Sequence, residues 1–144
     1  MQFGEIQLRT GERLRRLFEI LLPHADGLPR DVAIARLLEA MPLSPHEAGH
    51  YSSSGLPRIT ALLGFGTAAC VKAGWMSKDQ RLWRVTPEGE RAFHEFSDPL
   101  VFIRTATRIR NARQRRQRAA AAAPALPAQV TEKAALAPAV SVQA

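Results

Sequence analysis

The run His46-Glu47-Ala48-Gly49-His50 sets two imidazoles one helical turn apart around a glutamate. Zinc peptidases use that pattern to hold a metal ion and a general base. The neighbouring residues pull the same segment toward a plainer role. Ser44-Pro45-His46-Glu47 is a capping box, with proline at the first helical position and Glu47 reaching back to the Ser44 backbone. The motif then lies in the first turn of a helix that Ser52-Ser53-Ser54-Gly55 ends almost at once. Gly49 weakens that helix by about 1 kcal/mol relative to alanine. No further ligand follows closely: the next carboxylates are Asp79 and Glu88, the next histidine His94. These residues predict a capped surface helix, with a small zinc peptidase kept as an alternative.

Other reactive residue types are placed less suggestively. Gly64-Phe65-Gly66 lacks the third glycine of a dinucleotide loop and the Gly-Lys-Ser/Thr of a phosphate loop, and predicts close packing of a helix against a neighbour. Cys70 falls on an apolar stripe with no activating base in view, so it reads as buried filler. As the single cysteine it excludes an internal disulfide and a multi-cysteine zinc site. Ser52 to Ser54 lack the Gly-x-Ser-x-Gly frame of a hydrolase elbow. At a helix N-terminus their hydroxyls and free N–H groups can instead bind a phosphate.

Charge points the same way. The chain has 144 residues, with 20 Lys and Arg against 13 Asp and Glu and a net charge of +7. Residues 1–50 are close to neutral, whereas residues 51–118 carry 13 Lys and Arg against 5 acids. Arg104 to Arg118 alone holds 7 arginines and no acid. Such a field attracts polyanions, of which nucleic acid is the commonest. No apolar run approaches the roughly 18–20 residues of a membrane helix. The opening Met-Gln-Phe-Gly-Glu has no basic stretch leading into an apolar one, so no secretory signal is expected and the cytoplasm is the expected location.

The elements that must position these residues follow from spacing. Thr10 can cap a helix whose Leu14, Leu17, Phe18, Leu21 and Leu22 form one stripe. Pro23 and Gly27 end it, and Pro29 suits the first position of a second helix carrying Ile34, Leu37, Leu38 and Met41. After the capping-box helix, Pro57 opens another, with Ile59, Leu62, Leu63, Gly66 and Cys70 inward and Gly74 just past its end. Trp75 to Val85 reads as a short hairpin turning near Lys78–Arg81, with Trp75 and Trp83 anchoring it. Thr86-Pro87-Glu88 and Asp98-Pro99 each start a helix. The last helix turns Phe102, Ile103, Ala106 and Ile109 inward.

Three helices followed by a two-stranded ribbon is the layout of a winged helix-turn-helix. The helix before the ribbon is then the one that enters a groove. Its outward positions are Arg58, Thr60, Ala61, Thr67 and Lys72, with Ser54 just ahead of it. Arg58 suits a guanine edge or a phosphate, and Thr60 and Ala61 suit a thymine methyl. Lys78, Arg81 and Arg84 on the ribbon would hold a flanking phosphate. Arg104, Arg108 and the arginines beyond them would add sequence-independent affinity.

Several stretches also carry a resemblance. Ser54-Gly55-Leu56-Pro57-Arg58 leads into a helix that closes on Val71-Lys72-Ala73-Gly74-Trp75-Met76. After a short polar turn comes Leu82-Trp83-Arg84-Val85-Thr86-Pro87-Glu88-Gly89, and Leu43-Ser44-Pro45-His46-Glu47 precedes them all. Over residues 13–96 this resembles the N-terminal domain of Mrr-type restriction proteins. The resemblance implies a winged-helix module that helps a restriction system engage DNA while a separate nuclease domain cuts. The Asp…Glu-x-Lys set of such a nuclease has no match here, since Glu132-Lys133 has the wrong spacing.

The expected architecture is therefore mainly α with a small β-hairpin. A winged helix-turn-helix spans residues 1–97, an Arg-rich helix residues 98–118, and a disordered Ala/Pro-rich tail residues 119–144. The expected function is binding of double-stranded DNA in a restriction, phage-defence or regulatory setting, with a separate nuclease or helicase subunit as a further partner. No catalysis by this chain alone, no cofactor, no metal and no membrane are expected. A protein- or RNA-interaction adaptor using the Arg-rich helix is the first alternative.

Overall fold

A computed structural model describes residues 3–122 and divides the chain into two compact units, Met1–Arg113 and Gln114–Ala144. The first unit is built mainly of helices around a small sheet. In chain order these are α1 (Phe3–Leu21), β1 (Leu28–Pro29), α2 (Arg30–Ala40), α3 (Pro45–Ala48), α4 (Arg58–Lys72), β2 (Met76–Ser77), a 3₁₀ turn (Asp79–Arg81), β3 (Leu82–Val85), α5 (Pro87–Glu95) and α6 (Pro99–Ala122). Of the second unit the structure describes only the helical end of α6.

The local signals are used where proline and hydroxyl side chains stand together. Ser44 accepts from the Glu47 amide and the Glu47 carboxylate accepts from the Ser44 amide, so the capping box of α3 is complete. Thr86 caps α5 by accepting from Gly89 N–H at 2.9 Å, with Pro87 in the first turn. Asp98 Oδ1 accepts from the amides of Leu100 and Val101 at the start of α6. Gly74 has φ +86°, the left-handed geometry that lets the chain leave α4 and turn into β2.

Three expectations are corrected. Thr10 does not cap α1, which begins at Phe3. Its hydroxyl donates instead to Ile6 O one turn back, as threonine does inside a helix. Pro29 stands at the cap of α2 rather than inside it, because Leu28–Pro29 is a strand. The ribbon is consequently three-stranded, in the order β1-β3-β2, all antiparallel. Leu28 pairs with Trp83, and Met76 with Val85. The third correction concerns Ala119–Ala122, which continue α6 where a tail is expected, as four alanines with high helix propensity do. The rest of the expected tail lies outside the described residues.

The core is an aromatic and leucine cluster. Leu14, Leu17, Phe18 and Leu21 of α1 are buried against Leu37 of α2, Leu63 and Cys70 of α4, and Phe102 and Ile103 of α6. Phe18 meets Phe102 edge-on at 5.1 Å, and Trp75 lies 5.0 Å from Phe102 and 6.1 Å from Phe96. Trp75, just before β2, and Trp83, within β3, are both buried and anchor the ribbon in the core. Among the described residues no helix is long and apolar enough to cross a membrane.

Candidate nucleic-acid interface

The Pro57 cap and the inward stripe of Leu63, Gly66 and Cys70 fix which side of α4 faces out. Gly66 lies tight on α1, where a Cβ would stand 3.0 Å from Leu14 Cδ1, so the expected close packing holds there. A Cβ at Gly64 meets nothing within 4 Å, and Phe65 is 71% exposed. The outer surface of α4 is thus made of Thr60, Gly64, Phe65 and Lys72, all exposed, with half-buried Ala61 at its edge. Phe65 was legible as a position off the apolar stripe, but its residue type disguised it as core.

The cations expected on this surface divide into free and engaged. Arg58 is half-buried: one guanidinium N–H donates to His46 O at 3.2 Å, and the group lies over the Tyr51 ring, 5.6 Å from its centroid. It ties α4 to α3, its guanidinium tip lying close against Gly49. Ser54 is exposed, its hydroxyl accepting from Leu56 N–H in the loop before α4. Lys72 and Arg81 are exposed. Gln80 and Arg81, with φ of +57° and +63°, make the ribbon tip a sharp turn that throws Arg81 outward. Arg84 is half-buried, 3.4 Å from Ser77 Oγ and 3.9 Å from Asp79 Oδ2.

Thr67 and Lys78 do not stand where a groove could reach them as expected. Thr67 is fully buried and donates to Leu63 O at 2.7 Å. Lys78 folds inward, donates to Thr67 Oγ1 at 2.9 Å and lies over the Trp83 ring at 4.8 Å. The ribbon is short and its turn begins directly after β2, with Lys78 at the start of the turn, close enough to α4 for its ammonium to reach Thr67.

On α6, Arg104 and Arg108 are exposed. Arg113 donates to Lys72 O at 3.0 Å, a cation at the C-terminal end of α4, and Arg110 donates to Asn111 Oδ1. Arg115, Arg116 and Arg118 belong to the second unit, where all three are exposed.

The His-Glu-x-x-His residues are not arranged for zinc. α3 ends at Ala48, so His50 leaves the helix and forms an isolated bridge with Pro57. Glu47 is buried and held by Arg13 of α1, which donates to both carboxylate oxygens. Burial acts to raise the Glu47 pKa. Hydrogen bonds from Arg13 and from the Ser44 amide, with the charges of Arg13 and Arg9, outweigh it and hold the carboxyl at about 2. Both carboxylate oxygens are thereby engaged within the protein, by Arg13 and by the Ser44 amide. Among the described residues no group of three His, Cys, Asp or Glu side chains is placed to share a metal ion.

Cys70 is fully buried, and burial pushes its thiol up to about 12, partly offset by the charge of Lys78. Comparison with protein-family models, with curated proteins and with solved structures finds no match for this chain.

Proposed function

We propose that this chain is a winged helix-turn-helix module that binds duplex DNA without catalysis of its own, in a restriction, phage-defence or regulatory setting. The order α1, β1, α2, α3, α4, β2, β3, with β1 paired to β3, supports the winged-helix reading. The observation that carries DNA binding is the company of α4. Its exposed small residues lead to Lys72, and the ribbon that follows points Arg81 into solvent. Arg104 and Arg108 add exposed cations on the same unit. A shallow, nearly neutral helix surface with cations at its margins suits groove contact by α4 and phosphate contact by the rest. Thr60 and Phe65 are the residues to touch base edges, Phe65 through a thymine methyl. Cleavage or unwinding would fall to a separate nuclease or helicase subunit, as the resemblance to Mrr-type proteins implies.

Fluorescence anisotropy with a labelled duplex at low and high salt tests this. The expected result is binding at low salt that weakens steeply as salt rises, with a log–log slope of roughly 0.9 for each phosphate neutralised. No binding at low salt removes the proposal.

One observation favours a second reading, a protein-interaction adaptor. Phe65 is 71% exposed in the middle of the helix that would enter the groove, and an exposed aromatic of that kind is an anchor at protein interfaces. Duplex affinity that is indifferent to Arg81→Ala, Arg104→Ala and Arg108→Ala together would favour the adaptor.

A further inference from the structure

A pocket of about 330 Å³ opens between α2, α4 and the ribbon. Its walls are apolar: Ile34 and Leu38 from α2, Ile59 and Leu63 from α4, and Trp83 from β3. Pockets of small-molecule sites begin at about this size and share this make-up, a greasy lining with few polar groups.

Of the polar residues on the lining, Lys78 is the charged one with no charged partner within 4.0 Å among the described residues. Its ammonium lies over the Trp83 ring, 4.8 Å from the centroid, and meets the hydroxyl of Thr67 at 2.9 Å. Among the described residues no carboxylate lies within 4.0 Å of it. Burial, with the charge of Arg30 adding to it, pushes the Lys78 ammonium below the usual lysine range. A half-buried cation without a counter-ion is costly unless an anion arrives to pair with it. The other two charges on the lining, Arg30 and Asp31, pair with each other at 3.1 Å, which leaves one net positive charge facing the cavity.

We propose that this pocket binds a small amphipathic carboxylate, its anionic head on Lys78 and its alkyl or aryl body between Ile34, Leu38, Ile59 and Trp83. A single net charge selects a monoanion, because a doubly charged phosphate would leave one charge unmatched beside Asp31. The pocket borders the exposed surface of α4 at Thr60 and Gly64, and binding of the acid by the chain alone does not depend on whether the chain binds DNA.

The test is calorimetric titration of the full chain with 2-naphthoate, set against the neutral 2-naphthamide. The acid is expected to bind with a dissociation constant tighter than about 1 mM, and the amide about 10-fold more weakly. Lys78→Met is expected to abolish the preference for the acid. Gly64→Leu places a side chain in the open space at the pocket lining, on a helix it also favours, and is expected to weaken both ligands. In amide NMR spectra the acid is expected to shift Thr67, Lys78 and the Trp83 indole. If Lys78→Met does not fold, the acid–amide comparison on the natural chain and the Gly64→Leu titration decide the matter. Equal affinity for acid and amide, no saturable binding at about 5 mM, or shifts confined to other surfaces would overturn the proposal.

Discussion

The guanidinium of Arg13 and the carboxylate of Glu47 face each other in the interior, their side chains 1% and 3% exposed, and join α1 to α3 across 34 positions of sequence. Arg13 also donates to Met41 O and Pro42 O, so the segment joining α2 to α3 is held by the same side chain. Removing one partner strands the other charge. Glu47→Leu and Arg13→Met are each expected to cost about 3–5 kcal/mol, whereas the double replacement Arg13→Met with Glu47→Leu should cost less than the sum. Urea unfolding of the four proteins measures the coupling.

The same pair gives stability a definite dependence on acid. The Glu47 carboxyl is held at about 2, below its ordinary 4.5, so its contribution is complete above 4.5 and is lost as pH falls toward 2. The stability gap between the natural chain and Glu47→Gln is expected to narrow over that interval. Denaturant midpoints recorded along it would show no such narrowing if the pair were unimportant.

Gly89 lies where α5 crosses the end of the ribbon, and an added Cβ there would collide with the Trp75 carbonyl. Trp75 O itself accepts from Thr86 N–H at 3.0 Å, so it cannot move without breaking the join between ribbon and helix. Gly89→Ala is expected to destabilise the fold by about 1–3 kcal/mol, even though alanine favours a helix. Thermal unfolding followed by circular dichroism checks the sign.

Cys70 should be chemically silent in the native state, because it is fully buried and its thiol is raised to about 12. Reaction with an aromatic disulfide reagent is expected only after unfolding. Rapid labelling of the native protein would contradict the packing described for α4.

Arg81→Ala and Arg108→Ala are each expected to reduce the salt slope of duplex binding by roughly 0.9 while leaving stability unchanged. Arg58→Ala should act differently, lowering the melting temperature by loosening α4 from His46 and Tyr51. Anisotropy and melting curves on the same three variants separate a phosphate contact from a structural tie.

The elements whose signals are local are legible in the sequence. Ser44 with Glu47, Thr86 with Pro87, and Gly74 after α4 each act within four residues, so composition and order suffice to place them. The leucine stripe of α1 was equally plain, since helical spacing alone brings Leu14, Leu17, Phe18 and Leu21 to one side. The strand Leu28–Pro29 was not, because two residues carry no period and only pairing with β3 makes them a strand.

For the candidate sites, residue type and position determined the cation-rich half, the ribbon and the exposed arginines of α6. Tertiary structure alone decided which charges are free. Lys78 and Thr67 read as surface by residue type and spacing, yet the fold turns them toward each other. Glu47 read as cap or catalytic base, and Arg13, far away in sequence, commits it to an ion pair. The physical reason is range: helix caps and apolar stripes are set by neighbours along the chain, whereas the partner of a buried charge is set by whatever the packed helices bring alongside it.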